Sequence, residues 1–195
     1  MGEQDIEDIR IKNIVDMAVT FTAMMRVFRQ GSKSTISKKI AEVFSSLDNV
    51  TEETQYRQIH DSFCIWFTKE IFTAEKTFKN GRGPKMSRNA SYGQAAKIFD
   101  IAAKVYVYYC KLPSPHAAER LLPMLYGAVD TPIMKNLKSK FRDVPIAATT
   151  IEEIDKPIYE TLQRLIMRDI ETGGNRIYPV QYDDIEWHKL NRTQQ

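Results

Sequence analysis

Cysteine is scarce in this sequence, with only Cys64 and Cys110. Each lies in a run rich in aromatic and aliphatic residues, where a free thiol behaves as a small hydrophobe. No disulfide framework is expected, and the usage suits a reducing compartment. Histidine is also sparse: His60, His116 and His188 are too scattered for the paired ligands a zinc site displays. The residues five positions before them are Gln55, Lys111 and Asp183, so the Arg-x-x-x-x-His signature of all-helical nucleases is missing. No Gly-x-Ser-x-Gly elbow, Walker loop or dinucleotide fingerprint occurs. No apolar run approaches the roughly 20 residues of a membrane-spanning helix. The acidic start Met-Gly-Glu-Gln-Asp-Ile-Glu-Asp lacks the apolar core of a secretory signal. The expectation is a cytoplasmic protein with no membrane association, no metal and no cofactor.

What is present reads as one helical domain over residues 1–195. Hydrophobic residues make up 43% and charged residues 27%, enough for a folded core without staples. Ile6, Ile9, Ile14, Ala18, Phe21, Met25 and Phe28 recur at helical spacing over about 5–29, and Ile36, Ile40, Val43, Phe44 and Leu47 over 34–47. Thr51 with Glu52 and Glu53 resembles a helix start leading to Ile59, Phe63, Trp66, Phe67, Ile71 and Ala74, with an end near Lys76. Ser91 to Gln94 is a capping box, and Ser114-Pro115, Asp130-Thr131-Pro132 and Thr150 to Glu153 are further start signals. Pro157 shifts or kinks the last of these helices, and Gly173-Gly174 stops it. The fold class expected is all-α, or mainly α: a single-domain bundle of about six to seven helices. A short irregular or extended tail, residues 174–195, packs on the body.

Charge is unevenly spread although the net value is only +3. Arg26, Arg29, Lys33, Lys38 and Lys39 meet no acid between Asp16 and Glu42, and Lys135, Lys138, Lys140 and Arg142 meet none between Asp130 and Asp143. Lys76, Lys79, Arg82, Lys85, Arg88 and Lys97 meet none between Glu75 and Asp100. Within this last stretch, residues 76–90 form a basic loop broken by Gly81, Gly83 and Pro84, and it runs into the helix start at Ser91. Free N–H groups and the helix dipole make such an end an anion site. Lys79, Arg82, Lys85, Arg88, Ser91 and Lys97 are therefore the candidate anion- or nucleic-acid-binding residues. The bland alternative is a solvated connection.

Catalytic candidates are few. Arg57 and His60 stand three apart on one helix and can face one pocket. Tyr92, Phe99, Tyr106, Tyr108 and Tyr109 offer stacking faces near the basic loop, but Tyr109 falls on the apolar stripe and is expected in the core, leaving Tyr92 as the exposed ring. Asp100 is expected to pair with Lys97 and Lys104 on a polar helix face.

The run Ser91-Tyr92-Gly93-Gln94-Ala95-Ala96-Lys97, continuing through Lys104-Val105-Tyr106 to Cys110, with Gly127-Ala128-Val129-Asp130 and the stretch from Tyr178-Pro179-Val180 to Trp187, resembles small helical proteins of unknown function from bacteria and phages. That resemblance implies a fold type and a bacterial or phage setting, and it transfers no activity. Three functional readings stand open. The first is a non-enzymatic binding protein that holds nucleic acid backbone or an acidic protein partner. The second is an enzyme acting on nucleic acid or nucleotides through Arg57 and His60. The third is a phage or bacterial regulator that blocks a partner protein.

Overall fold

The start signals of the sequence become helix caps wherever a side-chain oxygen can reach free backbone N–H groups. Ser91 Oγ accepts from Gln94 N at 3.2 Å, Ser114 Oγ from Ala117 N at 3.3 Å, Asp130 from Ile133 N at 2.9 Å and Asp155 from Ile158 N at 2.9 Å. The computed structural model describes residues 3–21, 23–76, 84–174 and 176–192. Among these it has eight α-helices and no strand. They are α1 Glu3–Phe21, α2 Ser32–Phe44, α3 Glu53–Glu70, α4 Tyr92–Ala103, α5 Pro115–Leu121, α6 Thr131–Lys140, α7 Lys156–Thr172 and α8 Pro179–Arg192.

The middle of the bundle is α4. Gly93, Ala95, Ala96, Ile98, Phe99, Ala102 and Ala103 are buried around its circumference, as befits a helix enclosed by others. Its many alanines let α3, α1 and α7 approach closely. Phe99 meets Phe44 of α2 edge-on at 5.5 Å between ring centroids, and Phe63 of α3 at 5.0 Å. On the other side α6, α7 and α8 pack together.

Several boundaries differ from the sequence reading, each for a local reason. The helix expected over 5–29 ends at Phe21, and residues 23–27 form a 3-10 turn before Phe28 bridges to Thr73. Glu52, not Thr51, caps α3, with Gln55 closing the box. α3 stops at Glu70 because Ile71 to Lys76 is extended: Ala90 N donates to Ile71 O, Thr73 N to Arg88 O and Lys76 N to Lys85 O. The basic loop is thus a narrow antiparallel ribbon at its described base, and residues 77–83 lie outside the described residues. The Thr150 box caps only a 3-10 turn, Ile151–Glu153, and α7 starts after Asp155 with Pro157 in its first turn. The tail packs on the body through Val180 and Tyr182, both buried, and it carries α8 where a short extended piece was expected.

A π-helical turn, Lys104–Tyr109, follows α4. Widening the helix advances the side chains relative to a 3.6-residue period. Lys104, Tyr106 and Val107 are consequently buried, whereas Tyr109 is 51% exposed and not in the core as its spacing implied.

Candidate functional site

The basic segment is met by the protein's own groups. The turn Ile151–Glu153 lies across the start of α4, where Ser91 Oγ donates to Ile151 O at 3.0 Å and Gly93 N to Ile154 O at 2.9 Å. A Cβ at Gly93 would come within 2.5 Å of Ile154 Cβ, so this approach needs glycine. From the same turn, Glu152 takes hydrogen bonds from both Lys85 and Arg88. Burial pushes the Glu152 carboxyl up, and the two cations outweigh it, holding the group below its ordinary range. Carbonyls and a carboxylate therefore occupy the place the sequence reading gave to an external anion. Lys97 is turned away: it lies 3.8 Å from Asp130, and burial lowers its pKa. Lys79 and Arg82 lie outside the described residues. In the other basic runs Lys39 meets Glu42 at 2.7 Å and Lys140 meets Asp169 at 2.6 Å, whereas Lys33, Lys38 and Lys135 make no ion pair among the described residues.

Arg57 and His60 do line one cleft, of about 870 Å³, between α3 and α7. His60 forms part of its floor and is almost wholly buried, with 1% of its surface exposed. Nε2 lies 3.2 Å from Asp100 Oδ1, an approach too poorly aligned to complete a hydrogen bond, and 3.2 Å from the Tyr159 hydroxyl. Tyr159 donates to Asp100 Oδ2 at 2.9 Å. Burial pushes the Asp100 carboxyl above its ordinary value, against the pull of His60 and Tyr159. Asp100 does not pair with Lys97 or Lys104 as the helix spacing implied. Lys104 instead reaches Asp183 at 2.5 Å and Asp184 at 2.8 Å.

Cys64 Sγ is 3.8 Å from His60 Nδ1 and 3.9 Å from Nε2. A sulfur equidistant from both ring nitrogens packs against the imidazole without a directed hydrogen bond. Burial also raises the Cys64 thiol pKa well above its usual value, which disfavours the nucleophilic thiolate. The His60 ring is stacked on Tyr159 at 5.2 Å and meets Tyr126 edge-on at 5.0 Å. This floor is a locked polar network under aromatic rings.

The cleft walls carry Glu53, Asp61, Glu160 and Glu171 against Arg57, Lys156, Arg164 and Arg168, so the charges balance. Most are paired. Glu53 holds Arg57, Asp61 accepts from Lys156 at 2.9 Å and from the Tyr92 hydroxyl at 3.1 Å, and Arg168 pairs with Asp143 at 3.1 Å while covering the Phe141 ring. Arg164 differs: it donates only to Thr161 Oγ1, at 2.8 Å, and has no carboxylate within ion-pair distance among the described residues. Tyr92 and Tyr126 are half-buried on the cleft wall, and burial pushes the Tyr126 phenol up to about 12, so it remains a proton donor at neutral pH. Among the described residues no group of three or more His, Cys, Asp or Glu side chains is placed to hold a metal ion, and no helix is long and apolar enough to cross a membrane.

Asp100, Tyr126, Tyr159 and Arg164 did not stand out in the sequence. For Asp100 the local signal is divided: of its neighbours one turn away, Ala96 and Ala103 are apolar while Lys97 and Lys104 are cations that indicate a solvated face. Searches against family models, curated proteins and solved structures find no match to this chain.

Proposed function

We propose that the chain is a non-enzymatic binding protein that holds a nucleotide, free or at the end of a nucleic acid strand, in the cleft between α3 and α7. The observation that carries this reading is the Arg164 guanidinium, without a carboxylate partner among the described residues, lining the same cleft as the half-buried rings of Tyr92 and Tyr126. Tyrosine faces accept any base by stacking, worth about 1–3 kcal/mol per base. A guanidinium with open donors suits a phosphate. The charge balance of the cleft favours one phosphate over an extended polyanionic backbone, which needs a surplus of cations along its track. Lys85 and Arg88 supply no such track because Glu152 holds both.

A catalytic role for His60 finds less support. A general base must reach its substrate within about 3 Å, and His60 has Asp100 and Tyr159 at Nε2 and Cys64 against the ring. Binding without turnover is the reading that suits a His60 ring enclosed by Asp100, Tyr159 and Cys64.

Isothermal calorimetry with adenosine, guanosine, cytidine and uridine 5′-monophosphates tests the proposal. Expected are binding that weakens as salt rises and a loss of about tenfold in affinity for Arg164→Ala, in line with about 1.5 kcal/mol, the lower end for a charged hydrogen bond, at an exposed arginine. No heat with any of the four, or affinity unchanged in Arg164→Ala, would sink it.

A further inference from the structure

Apart from the nucleotide cleft, the first acid-free basic run of the sequence borders a second groove, between α1 and α2. Its volume is about 770 Å³, within the range of small-molecule sites, and it shares no lining residue with the α3/α7 cleft. Apolar side chains make up much of the wall: Ile11, Val15, Ala41, Phe44, Tyr106 and Pro113.

Polar groups on α2 are concentrated in its first half, where Lys33, Ser34, Ser37 and Lys38 line the groove, ahead of Ala41 and Phe44. Lys33 and Lys38 make no ion pair among the described residues; on the facing helix Lys12 pairs with Asp16 at 3.5 Å and Asp8 also lines the wall, so the groove carries three cations against two carboxylates. Ser37 is the decisive residue. It is 7% exposed, and its Oγ is buried with no hydrogen-bond partner. A serine inside a helix ordinarily bonds back to a carbonyl one turn earlier, and Ser37 does not. A buried hydroxyl left open costs free energy unless something accepts from it.

We propose that this groove binds a single-chain anionic amphiphile of the fatty-carboxylate class, with the chain along the apolar wall and the carboxylate between Ser37 Oγ–H, Lys33 and Lys38. One hydroxyl and two ammonium groups match the two oxygens of a carboxylate. No backbone nest is on offer to a phosphate, because Ser32 N and Ser34 N already donate to Arg29 O and Gly31 O.

The test is calorimetric titration of the full chain with octanoate, decanoate, dodecanoate and tetradecanoate below their micellar concentrations, with dodecyltrimethylammonium in parallel. Affinity should rise roughly three- to fourfold per methylene, the fold-change that about 0.8 kcal/mol per buried CH₂ gives, until the groove is filled. The cationic amphiphile should bind far more weakly than dodecanoate. Lys33→Ala with Lys38→Ala should weaken dodecanoate roughly fivefold or more, and Ser37→Ala should weaken it while leaving thermal stability unchanged or raised. The proposal is overturned by absent dodecanoate binding, by equal binding of the cation, or by affinity that ignores both the lysine and the serine variants. Because the two sites share no residue, none of these results bears on nucleotide binding.

Discussion

Asp100 shows how far a single buried carboxylate organises this protein. It is enclosed on α4, takes the Tyr159 hydroxyl bond and sits against the His60 ring, so three helices, α3, α4 and α7, meet at one charge. Tyr159→Phe keeps the ring stack but leaves Asp100 Oδ2 without its donor. The expected cost is about 1–3 kcal/mol, read from urea unfolding with an unchanged m-value. A cost near zero would mean the network contributes little. A second carboxylate gives a pH prediction. Burial, outweighing Lys104, raises Asp183 to about 6 from the ordinary 3.8. A carboxyl raised on folding binds its proton more tightly in the folded state, so its contribution to stability is full below about pH 4 and is lost as pH rises through about 6. Asp183→Asn should flatten that part of the stability curve, a change of at most about 3 kcal/mol. A curve identical to that of the parent between pH 4 and pH 6 would contradict the assignment.

Among the elements, the short turn Ile151–Glu153 has the widest influence. With the Ile154 that follows it, it closes the α4 start with two carbonyls, and it neutralises the basic ribbon with one carboxylate. Gly93→Ala tests that closure: the added Cβ would stand 2.7 Å from Ile151 O as well as against Ile154. Overpacking of this kind costs about 1–3 kcal/mol, so the variant should melt several degrees lower; an unchanged melting temperature would show that the turn yields freely. The same element shows where the sequence was legible. The box at Thr150 is real, and so are Ser91, Ser114 and Asp130 as caps, because capping depends on neighbours within one turn. That Glu152 would answer Lys85 and Arg88 was not legible, since the partners are 67 and 64 residues apart. The same limit hid the meeting of His60 with Asp100 and Tyr159. Tyr109 was misplaced for another reason: a π turn breaks the period on which the assignment of its face depended.

At the scale of the whole molecule, charge that seemed concentrated along the chain is dispersed in the fold. Lys85 and Arg88 are held by Glu152, Lys39 by Glu42 and Lys140 by Asp169 and Glu186, and among the cations without an ion pair in the described residues are Arg164 in the α3/α7 cleft and Lys33 and Lys38 beside the α1/α2 groove. The proposed nucleotide site is therefore the cleft and not the ribbon ahead of α4. Backbone amide chemical-shift mapping during titration with adenosine 5′-monophosphate distinguishes the two directly. The largest shifts are expected around Arg57, Tyr126 and Arg164, with little change over residues 84–91. Shifts confined to 84–91, with Tyr126 and Arg164 silent, would contradict the proposed site.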